Sequence, residues 1–180
     1  GIDQAPCSMR KLSLHLECRY SNEVAPSSCC SPPSSVAKRG AVAVTLSPWT
    51  AKLREWQARA VSGVQTHTRP DFLATATPAA GKTRFALRIA HQYLADRVAS
   101  RVLVICPTNH LRTQWATAAG LVGIQLDPGL TNEQAIEARD YHGAVVTYQQ
   151  VCLAPGIFQR ACRSRPTLLI FAELHHAGEG

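Results

Sequence analysis

The run from Phe72 to Ala90, FLATATPAAGKTRFALRIA, constrains this chain more than any other stretch. Phe72, Leu73 and Ala74, continued by Thr75 to Thr77, read as a short buried strand. A turn of small residues follows, and then a helix with Phe85, Leu87, Ile89 and Ala90 on its apolar side. A strand that enters a tight turn and opens a helix is a setting for an anion. The first N–H groups of the helix have no partner within it, and the helix dipole favours negative charge there. In Gly81-Lys82-Thr83, Lys82 supplies a point charge for β- and γ-phosphates, and the Thr83 hydroxyl suits a bound magnesium. The strict phosphate-loop pattern asks for Gly five residues before Gly81, where this chain has Ala76. The bland alternative is an ordinary strand–turn–helix with an exposed lysine. Patterns further along the chain decide against it.

At 180 residues the chain holds one domain of ordinary size, 46% hydrophobic and only 6% aromatic, so its core must be mainly aliphatic. A net charge of +7 suits a polyanionic partner without proving one. Of the seven cysteines, Cys7, Cys18, Cys29 and Cys30 lie in the N-terminal third; Cys106, Cys152 and Cys162 lie singly in apolar patterns. No C-x-x-C pair occurs, which argues against zinc, and a reduced, cytoplasmic setting fits this usage. No apolar run is long enough to span a membrane, and no secretory signal is visible at the N-terminus.

Residues 1–47 differ from the rest. SNEVAPSSCCSPPSSVAKRG is rich in Ser, Pro and Cys and reads as a linker or disordered tail. Before it, the alternation of Leu12, Leu14 and Leu16 with Lys11, Ser13 and His15 is compatible with one short strand. The domain is expected over 48–180. Ser47 is placed to cap a helix with Pro48 at its first position, and Leu53, Trp56 and Ala60 recur at helical spacing. Within that helix Gln57 carries both a donor and an acceptor, the pair needed to read the edge of adenine; an exposed helical glutamine is the commoner case.

Beyond the phosphate-loop helix, expected over 83–98, RVLVIC (101–106) is a continuous apolar strand of the kind covered on both faces. It ends in Pro107-Thr108, and a helix is predicted over 111–121. A short strand is predicted at 121–126, a turn at Asp127-Pro128-Gly129, a helix over 131–139 and a strand over 143–148. A helical segment broken near Pro155-Gly156 leads through Arg160, Arg163 and Arg165, read as a solvated basic face, to a last strand, 167–171. Strands alternating with helices argue for an α/β fold with a parallel sheet, whose ligand edge lies at the carboxyl ends of the strands. Thr108 and nearby N–H groups at that edge suit a nucleic-acid phosphate. The last strand ends in Ala172-Glu173. A carboxylate at the first of these positions would hold magnesium through water, and one at the second would orient the attacking water.

Together these stretches resemble the first RecA-like lobe of superfamily 2 helicases of the DEAD/DEAH type, grouped with restriction-enzyme translocase subunits. LREWQ, ATPAAGKT, CPTNHLRTQW, VVTYQQV and FAELHHAG occur in the family's order, from Leu53 to Gly180. Ala at the first loop position is usual in that family. The resemblance implies a P-loop ATPase lobe using ATP and Mg²⁺ to move on nucleic acid, DNA ahead of RNA, without a membrane. It implies that Gln57 contacts the base and that Thr77, Pro78, Ala79, Ala80, Gly81, Lys82 and Thr83 form the nucleotide loop, with Thr83 on the metal. Pro107, Thr108 and Thr147 would face the nucleic acid, Glu173 would be the catalytic base, and His176 would couple to a second lobe.

Ala172 stands where the family has Asp, and the sequence stops just after this motif. An arginine finger from a second lobe is worth roughly 10³ to 10⁵ in rate, so little or no ATPase activity is expected of this lobe alone. The expectation is a truncated gene product or a fragment, with a non-catalytic nucleotide- or nucleic-acid-binding role as the alternative.

Overall fold

Continuous apolar strands need cover on both faces, and the structure supplies it. In the computed structural model, which describes residues 9–14 (backbone), 45–69, 71–77, 79–132 and 141–173, six strands form one parallel sheet. They are β1 (Met9–Leu14), β2 (Asp71–Leu73), β3 (Arg101–Cys106), β4 (Leu126–Asp127), β5 (Gly143–Thr147) and β6 (Thr167–Ala172), in the order β2-β1-β6-β3-β5-β4. The helices are α1 (Glu55–Thr66), α2 (Lys82–Ala95), α3 (Asn109–Gly120), α4 (Tyr148–Leu153) and α5 (Pro155–Ser164). The fold is α/β, consistent with a RecA-like P-loop domain.

Residue alternation along the strands sorts the interior into two cores. Val102, Val104 and Cys106 of β3, with Val145, Leu168 and Ile170, pack with Phe85, Ile89 and Trp115 from α2 and α3. Leu103, Ile105, Ala144, Val146 and Leu169 meet Phe158 and Cys162 of α5. Successive side chains of a strand point to opposite faces, so two apolar faces require an unbroken apolar run. At the join of α2 with α1 and β2, Phe85 lies 5.9 Å from Trp56 and 6.3 Å from Phe72, ring to ring.

Several boundaries differ from the sequence expectation. The helix expected at Ser47 and Pro48 begins at Glu55 instead. Residues 45–54 have no regular structure; Leu46, Trp49 and Leu53 pack on the core from this segment. The Ser47 carbonyl accepts a 2.6 Å hydrogen bond from Nε2 of buried His91, and Trp49 lies edge-on to the same ring. The strand expected over 121–126 shrinks to β4, because α3 ends in turns through Gly123, whose φ is +80°. The break near Pro155 falls at Ala154, with Pro155 opening α5. The 131–139 helix lies mostly outside the described residues. Of the stretch read as a tail, Met9–Leu14 pairs with both β2 and β6 inside the sheet.

Side chains fix the relative position of these elements. Arg112 of α3 donates from Nε to the Val145 carbonyl at 3.2 Å and from Nη2 to that of Leu130 at 3.0 Å, tying α3 to β5 and to the loop after β4. Gly143 opens β5 opposite Val102, and a Cβ there would fall on the Val102 carbonyl. Gly143→Ala therefore has to displace backbone in the centre of the sheet. It should cost about 1–3 kcal/mol, the range for overpacking, read as a lower urea midpoint at unchanged slope.

Candidate nucleotide and nucleic-acid site

Because every strand is parallel, all the carboxyl ends open on one edge. The loop after β2, Glu173 after β6, Pro107 and Thr108 after β3, and Thr147 at the end of β5 therefore lie along the same edge. At a strand spacing of about 4.8 Å, β2 and β6, two places apart, are separated by roughly 10 Å, and β2 and β5 by roughly 19 Å.

The loop is held from outside by one turn of chain. Arg54 Nη1 donates to the Ala79 and Ala80 carbonyls at 3.4 and 3.1 Å. Trp56 Nε1 donates to the Ala80 carbonyl at 3.2 Å, and Gln57 Nε2 to that of Gly81 at 2.8 Å. In a trans peptide the N–H points away from the carbonyl. With the Ala80 and Gly81 oxygens engaged on the outer side, the N–H groups of Gly81 and Lys82 face inward. Gly81 caps α2 with φ +92°, a left-handed conformation that glycine adopts without cost. Ala79, at φ +59°, adopts it at roughly 1 kcal/mol. Ala80 N–H closes the turn onto the Thr77 carbonyl at 3.2 Å. Lys82 Nζ lies within the loop, donating to the Ala76 carbonyl at 3.0 Å, and Thr83 is half-buried in the first turn of α2. Pro78 lies outside the described residues.

This arrangement fits a triphosphate: inward N–H groups, an ammonium folded over the loop and a hydroxyl at the helix start. For magnesium it offers the Thr83 hydroxyl and the Glu173 carboxylate. Ala172, which precedes Glu173, is buried and has no oxygen on its side chain. Among the described residues no group of three or more His, Cys, Asp or Glu could hold a metal by itself. An ion at this site would therefore depend on the phosphates for most of its ligands.

Tyr148, the last residue of the strand expected over 143–148, proves to hold the Glu173 segment. Its hydroxyl donates to the Ala172 carbonyl at 3.1 Å, and its ring stacks on Phe171 at 6.5 Å. Glu173 itself has φ +57°, a left-handed conformation that a non-glycine residue keeps only under constraint. A tyrosine following one strand, with an aromatic residue in the strand two places away, is a signal that only the sheet order makes readable. His176 lies outside the described residues.

At the edge where nucleic acid was expected, both threonines cap helices. Thr108 accepts from Leu111 N–H at 3.4 Å and is exposed, beside half-buried Pro107. Thr147 is buried and accepts from Gln150 N–H at 3.2 Å, while the Gln150 side chain accepts from Thr147 N–H. The Thr108 hydroxyl is thus open to a ligand, and that of Thr147 is turned to its own helix. Arg160, Arg163 and Arg165 are all exposed. No helix among the described residues is long and apolar enough to cross a membrane.

Residues 50–180 match the family described as "Type III restriction enzyme, res subunit". The chain is 45% identical over 139 residues to an uncharacterized protein of Mycobacterium tuberculosis, in strains CDC 1551 / Oshkosh and ATCC 25618 / H37Rv. That match covers 77% of this chain and 22% of the relative. It is 42% identical over 126 residues to an uncharacterized protein of Mycobacterium leprae (strain TN), covering 70% of this chain and 21% of the relative. The chain thus spans about a fifth of the length of these relatives. No solved structure matches it.

Beneath the edge, Cys106 donates from Sγ to the Thr108 and Val146 carbonyls at 3.4 and 3.5 Å. Burial pushes its thiol from 9.0 up to about 11, against smaller downward pulls from the backbone hydrogen bond at Thr108 and then the Arg112 charge. At pH 8 its thiolate fraction is on the order of 10⁻³, so iodoacetamide should modify exposed Cys152 long before Cys106, as read by peptide mass mapping. Because the folded value is the raised one, this thiol's contribution to stability is complete below pH 9 and is lost as pH rises towards 11.

Proposed function

We propose that this chain, which belongs to the type III restriction enzyme res subunit family, is the ATP-binding lobe of an ATP-dependent helicase or translocase acting on nucleic acid. The family is helicase-like and of the P-loop type, and such proteins generally use ATP and Mg²⁺. The observation that carries the reading is the loop from Ala79 to Gly81, gripped through its carbonyls by Arg54, Trp56 and Gln57 so that the Gly81 and Lys82 N–H groups face the inner side.

In this reading Thr77, Pro78, Ala79, Ala80 and Gly81 wrap the phosphates, Lys82 neutralises the terminal ones, and Thr83 meets magnesium. Glu173, held by the Tyr148 contact to its neighbour's carbonyl, orients the attacking water. Pro107, Thr108 and the backbone at Thr147 lie along one nucleic-acid strand, with DNA ahead of RNA. His176 is assigned to coupling with a second RecA-like lobe, which would also complete the catalytic site. The net charge of +7 favours such a polyanion, and the proposed workplace is the cytoplasm.

A second reading, a nucleotide- or nucleic-acid-binding module without catalysis, is favoured by one observation. Ala172 is buried at the carboxyl end of β6 and leaves magnesium without the carboxylate that the first reading requires. Equilibrium binding of a fluorescent ATP analogue, with Mg²⁺ or with EDTA, separates the two. The phosphate loop should bind the analogue, and Lys82→Ala should weaken it about 10- to 100-fold, the value of a charge-assisted hydrogen bond. An equal affinity in a folded Lys82→Ala protein would falsify the loop assignment. Ala172→Asp should raise affinity in Mg²⁺ by about 10-fold or more while leaving the EDTA value unchanged. Failure of that rescue would leave the binding module as the better description.

A further inference from the structure

β3 pairs with β6 only as far as Phe171, opposite Ile105. One residue further, the Ala172 carbonyl accepts from the Tyr148 hydroxyl at 3.1 Å. Tyr148 opens α4 directly after β5, and β3 lies between β5 and β6. The side chain therefore bridges strands that are roughly 10 Å apart, over the end of the one between them. Its half-buried ring is steadied by Phe171, stacked at 6.5 Å with the planes 18° apart. The grip falls on the peptide that joins Ala172 to Glu173. That peptide is planar, so holding its oxygen also sets its nitrogen, from which the Glu173 φ of +57° is turned. The Glu173 charge also reaches the Cys106 thiol, at the end of the strand that Tyr148 crosses.

The other end of the bridge is a stiff junction. Thr147 Oγ1 accepts from the Gln150 N–H at 3.2 Å, and Gln150 Oε1 accepts from the Thr147 N–H at 3.0 Å. Gln150 is tied in turn to the loop after β4. Its Nε2 donates to the Leu130 carbonyl at 2.9 Å, and its own carbonyl accepts from Asn132 Nδ2 at 3.3 Å. A ligand that shifts the main chain at Thr147 therefore moves the first turn of α4 as a unit, and Tyr148 with it.

We propose that Tyr148 is a positioning residue that links the nucleic-acid end of the edge to the nucleotide end: a strand lying on the main chain at Thr147 sets the orientation of Glu173 through the Tyr148 hydroxyl. The inference rests on the nucleic-acid reading of that edge and gives the means by which such a partner regulates the nucleotide site. Glu173 is the carboxylate this site offers to magnesium, so the effect falls on metal-dependent nucleotide binding.

The test is titration of the full chain with the fluorescent ATP analogue, with and without a saturating single-stranded DNA oligonucleotide. In Mg²⁺ the oligonucleotide should tighten the analogue by about 5-fold or more, and the analogue should tighten the oligonucleotide by the same factor. In EDTA neither should affect the other. Tyr148→Phe keeps the stacked ring and loses only the hydroxyl. It should bring the coupling below about twofold while leaving the oligonucleotide's own affinity and the EDTA value unchanged; a merely structural role would lower the urea midpoint and weaken both ligands instead. Coupling of full size in folded Tyr148→Phe would overturn the inference. Glu173→Gln should lose the same coupling, and its survival there would overturn the inference whether or not Tyr148→Phe folds. If both ligands bind the unaltered chain and neither affects the other, the inference fails alone. If direct titration shows no oligonucleotide binding, the nucleic-acid reading of the edge fails and the inference falls with it.

Discussion

The uniform direction of the strands governs everything else in this molecule. Parallel strands cannot be joined by tight turns, so their connections have to cross a face of the sheet. Both faces are then covered, and the strands must be apolar throughout, as RVLVIC and TLLIFA are. The same constraint delivers every strand-to-helix turn to one edge. Phosphate loop, Glu173, Thr108 and Thr147 come from segments far apart in sequence, yet none needs a special device to reach the others. What the sheet does not supply is fine position, and there individual side chains act.

Two such devices flank the nucleotide edge, and they work by the same means. On the loop, Arg54, Trp56 and Gln57 grip carbonyls and so orient the opposing N–H groups. On β6, Tyr148 grips the Ala172 carbonyl and constrains the peptide that leads into Glu173. In both, a side chain from a neighbouring element takes a main-chain oxygen where the backbone is left-handed at or next to the gripped residue: Ala79, Gly81 and Glu173. Such conformations cost about 1 kcal/mol or more outside glycine and persist only when neighbours over-determine them. The cost is set against a loop already arranged before any ligand arrives.

The parts legible in the sequence were those with strong local chemistry. RVLVIC, GAVVT and TLLIF were read as strands to within a residue or two, because an unbroken apolar run with β-branched residues has few other uses in an α/β pattern. Gly81-Lys82-Thr83 was placed at the start of its helix for a similar reason. The misplaced start of α1 shows the limit. Ser47-Pro48 carries an acceptable capping signal, but local signals are weak beside burial, and Trp49 gains more by lying against His91. The engagement of Gln57 was not legible at all. Its partner, the Gly81 carbonyl, lies 24 residues away, and only the packing of α1 on α2 brings the two together.

The place of β1 shows how far the site depends on distant chain. Among the described residues β2, which leads into the loop, is an edge strand hydrogen-bonded in the sheet to β1 alone; β1 in turn pairs with β6, which leads into Glu173. The separation of loop and carboxylate is therefore set by a strand whose sequence, MRKLSL, is unlike the other interior strands. Arg10, Lys11 and Ser13 break the apolar run that double cover requires elsewhere in this sheet. Its register is nonetheless complete: Met9 to Leu14 pairs residue for residue with Thr167 to Ala172, and Lys11 to Ser13 with Asp71 to Leu73. Main-chain hydrogen bonding carries no sequence information, so this slot in the sheet selects for an extended segment of the right length and direction before it selects for side chains. The two halves of the nucleotide edge thus belong to one sheet through backbone pairing, while α1, α2 and their aromatic contacts attach the loop to the same core from above.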